Sequence, residues 1–160
     1  MIRKVLIISL VSLFLIYPNA SAFQFEDYQW GKLWDEVVKK LETKGRKFSS
    51  SEYGLTYRDE ILEKPCEVYL AFSSKSKGLA FISITWDTTS AGGELKKQFT
   101  QKYGKFYTVV EKMYFWLGPN NDITDSIYLN YTANETRLIY FGGKYYDKFI
   151  QEKINDTENK

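Results

Sequence analysis

Large apolar side chains recur at every second position in several separate stretches of this chain. Val68, Leu70 and Phe72 alternate with other residues, as do Ala80, Ile82, Ile84 and Trp86, then Met113, Phe115 and Leu117, and finally Ile127, Leu129 and Tyr131. A period of two places one face of an extended strand against a core. The runs are cut by turn sequences. Ser73–Lys77 before Gly78 joins the first two as a hairpin, Gly118-Pro119-Asn120-Asn121 follows Val109–Leu117, and a turn near Asn134 precedes Arg137–Phe141. A more polar stretch, Tyr53–Leu62, reads as an edge strand.

A sheet with one apolar face needs a cover, and segments of helical period supply it. Trp30, Trp34, Val37, Val38 and Leu41 share a stripe that ends before Gly45, with a serine loop at Ser49–Ser51 beyond. Thr88-Thr89-Ser90 offers capping hydroxyls ahead of Glu94–Tyr103, where Leu95, Phe99 and Tyr103 stack every four residues before Gly104. Tyr145–Ile154 carries a third stripe of Tyr146, Phe149, Ile150 and Ile154. The order is helix, three strands, helix, three strands, tail helix. It predicts an α+β fold, a two-layer sandwich of antiparallel meander sheet packed on helices, built as a tandem α-β-β-β repeat with a C-terminal helix.

The first 22 residues read as a cleavable export signal. Arg3 and Lys4 precede an uncharged run, Val5–Tyr17, and Ala20-Ser21-Ala22 supplies small residues at the exit. The run is shorter than the roughly 20 apolar residues a membrane span needs, so no stable membrane anchor is expected after cleavage. The reading divides the chain into a leader at 1–22, a single domain at 23–154 and a polar tail at 155–160, with a periplasmic or secreted bacterial location.

The leader takes two of the 22 basic residues and none of the 20 acidic ones, so the exported part is electrically neutral. Nucleic-acid binders normally show a basic excess, and none is expected here. The chain has no His, which removes Ser-His-Asp and Cys-His catalysis and the commonest metal ligand. The lone Cys66 cannot form an internal disulfide. It reads as a small buried hydrophobe or as a thiol that pairs with another chain.

Two local patterns carry a resemblance. Phe25-Glu26-Asp27-Tyr28-Gln29-Trp30-Gly31 leads into the first helix, and Leu95-Lys96-Lys97-Gln98-Phe99-Thr100-Gln101-Lys102-Tyr103-Gly104 closes the second. This resembles small exported bacterial α+β proteins with a Trp-Gly…Lys-Tyr-Gly pattern. In plan the chain is also similar to β-lactamase-inhibitor-like helix-plus-meander domains and to a small outer-membrane-assembly lipoprotein. The resemblance implies work by protein binding without catalysis. Where such proteins cap the first helix with Ser or Thr, this chain has Leu33-Trp34, and no lipid-bearing Cys follows the leader.

The candidate binding residues are Tyr114, Trp116 and Tyr128, expected opposite the core-facing Met113, Phe115, Leu117, Ile127 and Leu129. Exposed together, they would form an apolar patch with hydrogen-bonding tips, suited to protein or glycan contact. Other groups read as plain surface. Asn120, Asp122 and Asp125 share a turn but match no calcium-loop spacing. The adjacent carboxylates Asp35/Glu36 and Asp59/Glu60 lack the separation of a glycosidase pair. Asn130, Asn134 and Asn155 head glycosylation sequons that a bacterial host leaves unused. The expectation is an exported, non-enzymatic binding domain without metal or cofactor, engaging a protein or envelope partner through an aromatic sheet face. A small hydrophobic-ligand binder and a carboxylate-based glycan hydrolase are the alternatives.

Overall fold

The computed structural model describes residues 23–74, 77–108, 112–118 and 121–158. The leader lies outside that range, as does Asn120. The order of elements is α1 (Trp34–Thr43), β1 (Phe48–Ser50), β2 (Gly54–Ile61), β3 (Lys64–Phe72), β4 (Leu79–Trp86), α2 (Ser90–Tyr103), β5 (Tyr107–Thr108), β6 (Met113–Leu117), β7 (Ser126–Tyr131), β8 (Thr136–Phe141) and α3 (Lys144–Glu158). The eight strands form one antiparallel sheet in the order β1-β2-β3-β4-β8-β7-β6-β5. Each half is a helix followed by a meander. The halves meet at the central β4–β8 pair, so a two-fold rotation about the sheet normal maps one onto the other. The α+β class, the antiparallel meander, the repeated plan and the C-terminal helix are those the sequence predicts; each half has four strands instead of three, because the short β1 and β5 add an edge strand to each meander.

The core is built from cross-strand rows. Tyr57, Val68, Ile84, Leu138, Leu129 and Tyr114 stand opposite one another along one row. Leu55, Leu70, Ile82, Tyr140, Ile127 and Trp116 form the next. All twelve are buried. Val37 and Leu41 of α1 and Ala91, Leu95 and Phe99 of α2 cover this face, and Trp34 and Val38 pack at its margin. Phe23, Phe25 and Tyr28 of the lead-in are buried with them. Phe23 meets Tyr103 edge-on at 4.8 Å, and Phe25 lies 5.7 Å from Tyr140.

Helix α1 begins at Trp34, not at Trp30. Gly31 has φ +78° and faces the Tyr145 ring so closely that a Cβ there would lie 2.3 Å from it. The Trp30–Lys32 segment is therefore a turn, although the Trp30 indole still packs on the core and donates to the Phe23 carbonyl at 3.1 Å. Leu33 has no side-chain oxygen to cap α1. Glu36 supplies the other half of a capping box by accepting the Leu33 N–H at 3.0 Å. The C-terminus is a Schellman motif: Gly45 (φ +67°) donates to Glu42 O at 2.9 Å and Arg46 to Leu41 O at 2.9 Å. Helix α2 starts at Ser90, four residues before the sequence expectation. Gly92 inside it leaves room for Tyr131, whose ring would lie 2.4 Å from an added Cβ.

Helix α3 lies on the opposite face of the sheet. Phe81 and Phe141, which point away from α1 and α2, meet Tyr146 at 5.9 and 4.6 Å, and Phe81 meets Phe149 at 5.4 Å. Glu152 ties the helix to the β3–β4 turn, accepting from Ser73 Oγ at 2.9 Å and from Ser74 N at 2.7 Å. The helix runs on to Glu158, through residues that read as tail. Among the described residues, no helix is long and apolar enough to cross a membrane.

Candidate functional site

Helix α3 packs chiefly on β4, and among the described residues no helix covers the same face of β5–β8. Register places Ile139, Tyr128, Phe115 and Tyr107 opposite one another in a single row across those four strands. Phe115 and Tyr128 are in ring contact at 4.9 Å. Met113 and Leu117 flank Phe115 on β6. Tyr107 is 54% exposed, and the other five are half-buried. Burial raises the Tyr128 hydroxyl above its ordinary pKa, against the opposing pull of Asn130 and Arg137. Arg137, on the same side of β8 as Ile139, pairs with Glu135 at 3.0 Å. The continuation of the row into the first half is polar: Ser83, Thr56 and Ser49, with Tyr69 between them.

This geometry corrects the candidate residues. Tyr114 and Trp116 point to the helices, while Tyr128 points the other way. The three do not share a patch, and Met113, Phe115 and Leu117 hold the outward positions. Tyr114 stacks on Tyr131 at 5.7 Å beneath the Lys96 ammonium, 4.2 Å above its ring. Trp116 is 1% exposed, between Phe99 at 5.4 Å and Phe106 at 5.8 Å. Among the described residues its buried Nε1–H has no hydrogen-bond partner. The physical reason is that both faces of β6 carry large apolar side chains, so alternation there does not fix the parity. The pairing of Trp116 with Ile127 and of Tyr114 with Leu129 does. The signal lay in β7, where Ser126, Tyr128 and Asn130 alternate with Ile127 and Leu129.

A second cluster joins the lead-in to the sheet. Arg46, delivered by the end of α1, bonds Glu26 at 2.9 Å and also reaches Asp59 on β2 and the Tyr57 hydroxyl. Lys44 bonds Glu26 at 2.8 Å and Asp27 at 3.0 Å, and Lys40 bonds Asp27 at 2.8 Å. Burial works against the Glu26 carboxylate, but Arg46 and Lys44 outweigh it and lower its pKa. Hydrogen bonds from Lys40 and Lys44 hold Asp27 well below the usual carboxylate range. Every carboxylate here is already engaged by a cation, so none stands ready as a general acid or base. The arrangement is a clasp on the lead-in.

The remaining candidates resolve individually. Asp59 belongs to the clasp, and Glu36 bonds Lys32 at 2.7 Å. Asp122 accepts from the backbone and hydroxyl of Thr124 at 2.9 and 2.8 Å, a turn closed on itself. Among the described residues, no three metal-ligating side chains come together. Cys66 is buried, and burial pushes its thiol up to about 11. A cleft of about 310 Å³ beside α1 is lined mainly by polar side chains, among them Asp27, Lys32, Glu36 and Lys40.

Fold and surface define an α+β domain whose distinctive chemistry is a half-covered aromatic sheet face. No protein-family model matches the chain, and no curated protein or solved structure is found similar to it.

Proposed function

We propose that this chain is an exported, non-enzymatic binding domain that engages a protein of the cell envelope through the open face of β5–β8. The observation that carries the reading is the row Ile139–Tyr128–Phe115–Tyr107, an apolar strip on a sheet whose other face is fully occupied by its own core. Contiguous apolar surface of this kind typically marks a contact site, and Tyr adds hydrogen-bonding tips to apolar bodies. The absence of His supports binding over catalysis. Export rests on the leader, and mass spectrometry of periplasmic or secreted material should find Phe23 at the N-terminus.

The test of the face is the double variant Phe115→Ser/Tyr128→Ser. It should keep the far-ultraviolet spectrum of the parent and lose the partner that the parent retains from envelope extract. Equal recovery of that partner by both proteins would refute the assignment.

A further inference from the structure

We infer that the open strip on β5–β8 is the seat of an amphipathic helix supplied by a partner protein. This rests on the proposed binding role and says what kind of surface fills the site. Three observations carry it. The first is the shape of the strip. It runs across the strands instead of along them. On β7, Tyr128 is flanked on the same face by Ser126 and Asn130, and on β8 Ile139 is followed toward the open end by Arg137. The apolar band is thus little more than one residue pair wide along the strand direction, apart from β6, where Met113 and Leu117 widen it. A second sheet stacked here would need apolar residues at successive outward positions on every strand. A helix crossing the strands needs one band. Four strands span about 14 Å, the length of a helix of about 10 residues.

The second observation is continuity with an interface already in the molecule. On the same face, α3 crosses the first half of the sheet and seats Tyr146 and Phe149 on Phe81 and Phe141. Phe141 is two residues from Ile139 on β8, so the seat of α3 runs directly into the open strip. The two-fold relation that pairs α1 with α2 gives α3 no counterpart over the second half among the described residues. The third is charge. Met113, Phe115, Leu117, Tyr128, Ile139 and Tyr107 include no acidic or basic residue, and Arg137 pairs with Glu135. The strip therefore selects an uncharged apolar stripe, as α3 presents to Phe81, with aromatic or branched side chains at i and i+3.

The probe is a synthetic peptide of the α3 sequence, Lys144–Glu158, cross-linked to hold it helical and titrated into the intact domain. Methyl resonances report the site. Binding at the strip should shift Met113 and Ile139, leave the core methyl of Ile84 in place, and weaken at least 10-fold in Phe115→Ser/Tyr128→Ser. Two controls accompany it: the same peptide with a central proline, and vesicles of phosphatidylethanolamine and phosphatidylglycerol. If the broken peptide or the vesicles shift Met113 and Ile139 and the helical peptide does not, the helix inference is overturned and the binding face stands. If the peptide moves Ala71, opposite Phe81 in the seat of α3, and spares Ile139, it has exchanged into that seat and the inference is overturned. If no probe shifts the strip while the double variant still loses its envelope partner, the helix inference alone falls. If no probe shifts the strip and the double variant retains that partner, both readings fall.

Discussion

Replacing Trp116 separates a core indole from a surface one. Its ring lies 1% exposed between Phe99 and Phe106, opposite Ile127 on the neighbouring strand. Truncating a fully buried Trp to Ala typically costs about 3–5 kcal/mol in lost transfer free energy and residual cavity. The indole N–H has no partner among the described residues, and a buried unpaired donor costs about 1–3 kcal/mol. Removing it offsets part of the loss, which places Trp116→Ala near the lower end, at about 3 kcal/mol. For a domain of this size, that is a fall in melting temperature of about 10 °C. Trp116→Phe keeps most of the ring volume and removes the orphan donor, so the two effects nearly cancel and the change should stay within about 1 kcal/mol. Phe115→Ala, on the half-buried face, should cost only about 1 kcal/mol. Urea unfolding followed by circular dichroism gives all three, with the denaturant slope as a check that the states compared are the same. A loss below 1 kcal/mol for Trp116→Ala, or a loss for Phe115→Ala as large as that for Trp116→Ala, would refute the assigned parity of β6.

Three more expectations follow from particular contacts. The Glu26 and Asp27 carboxylates have lowered pKa values in the fold, so their stabilisation is present above the unfolded values of 4.5 and 3.8 and is lost as pH falls through the folded ones. Arg46→Met should flatten the acid limb of a stability–pH profile and cost about 2 kcal/mol at pH 7; an unchanged limb would remove the clasp from the account. Gly92→Ala gains about 1 kcal/mol in helix propensity but sets a Cβ 2.4 Å from the Tyr131 ring. Overpacking costs about 1–3 kcal/mol, so thermal melts should show net loss. Cys66 should react with a thiol-specific disulfide reagent at pH 8 only as fast as the domain opens, because burial both hides the thiol and raises its pKa to about 11. Rapid labelling of the folded protein would contradict its burial.

The repeated helix-and-meander plan was legible because β3, β4 and β7 each carry one clean apolar face, and because Gly45 and Gly104 mark helix ends. The short edge strands were not. Phe48–Ser50 and Tyr107–Thr108 have two or three residues, too few for a period, and their strand character comes from pairing with β2 and β6. Trp30 fits the helical stripe by spacing yet sits in a turn, because Gly31 takes a positive φ against Tyr145. The stripe of α3 was readable, but its side of the sheet was not. That depends on the aromatic pair Phe81 and Phe141 facing away from α1 and α2. The open strip joins residues from four strands, and the clasp joins Glu26, Arg46 and Asp59. Both exist only once the register is set, so no local pattern announces either. Of the three candidate residues, Tyr128 alone lies on the strip, since β6 offered apolar side chains to both faces.

The central claim is that the Tyr128 side of the sheet, and not the Tyr114 side, meets a partner. A photo-reactive phenylalanine placed at 128 in one protein and at 114 in another, irradiated in exporting cells, tests it most directly. A defined heavier product from position 128 and none from position 114 is the predicted result. A product from position 114 alone, or identical products from both, would contradict it.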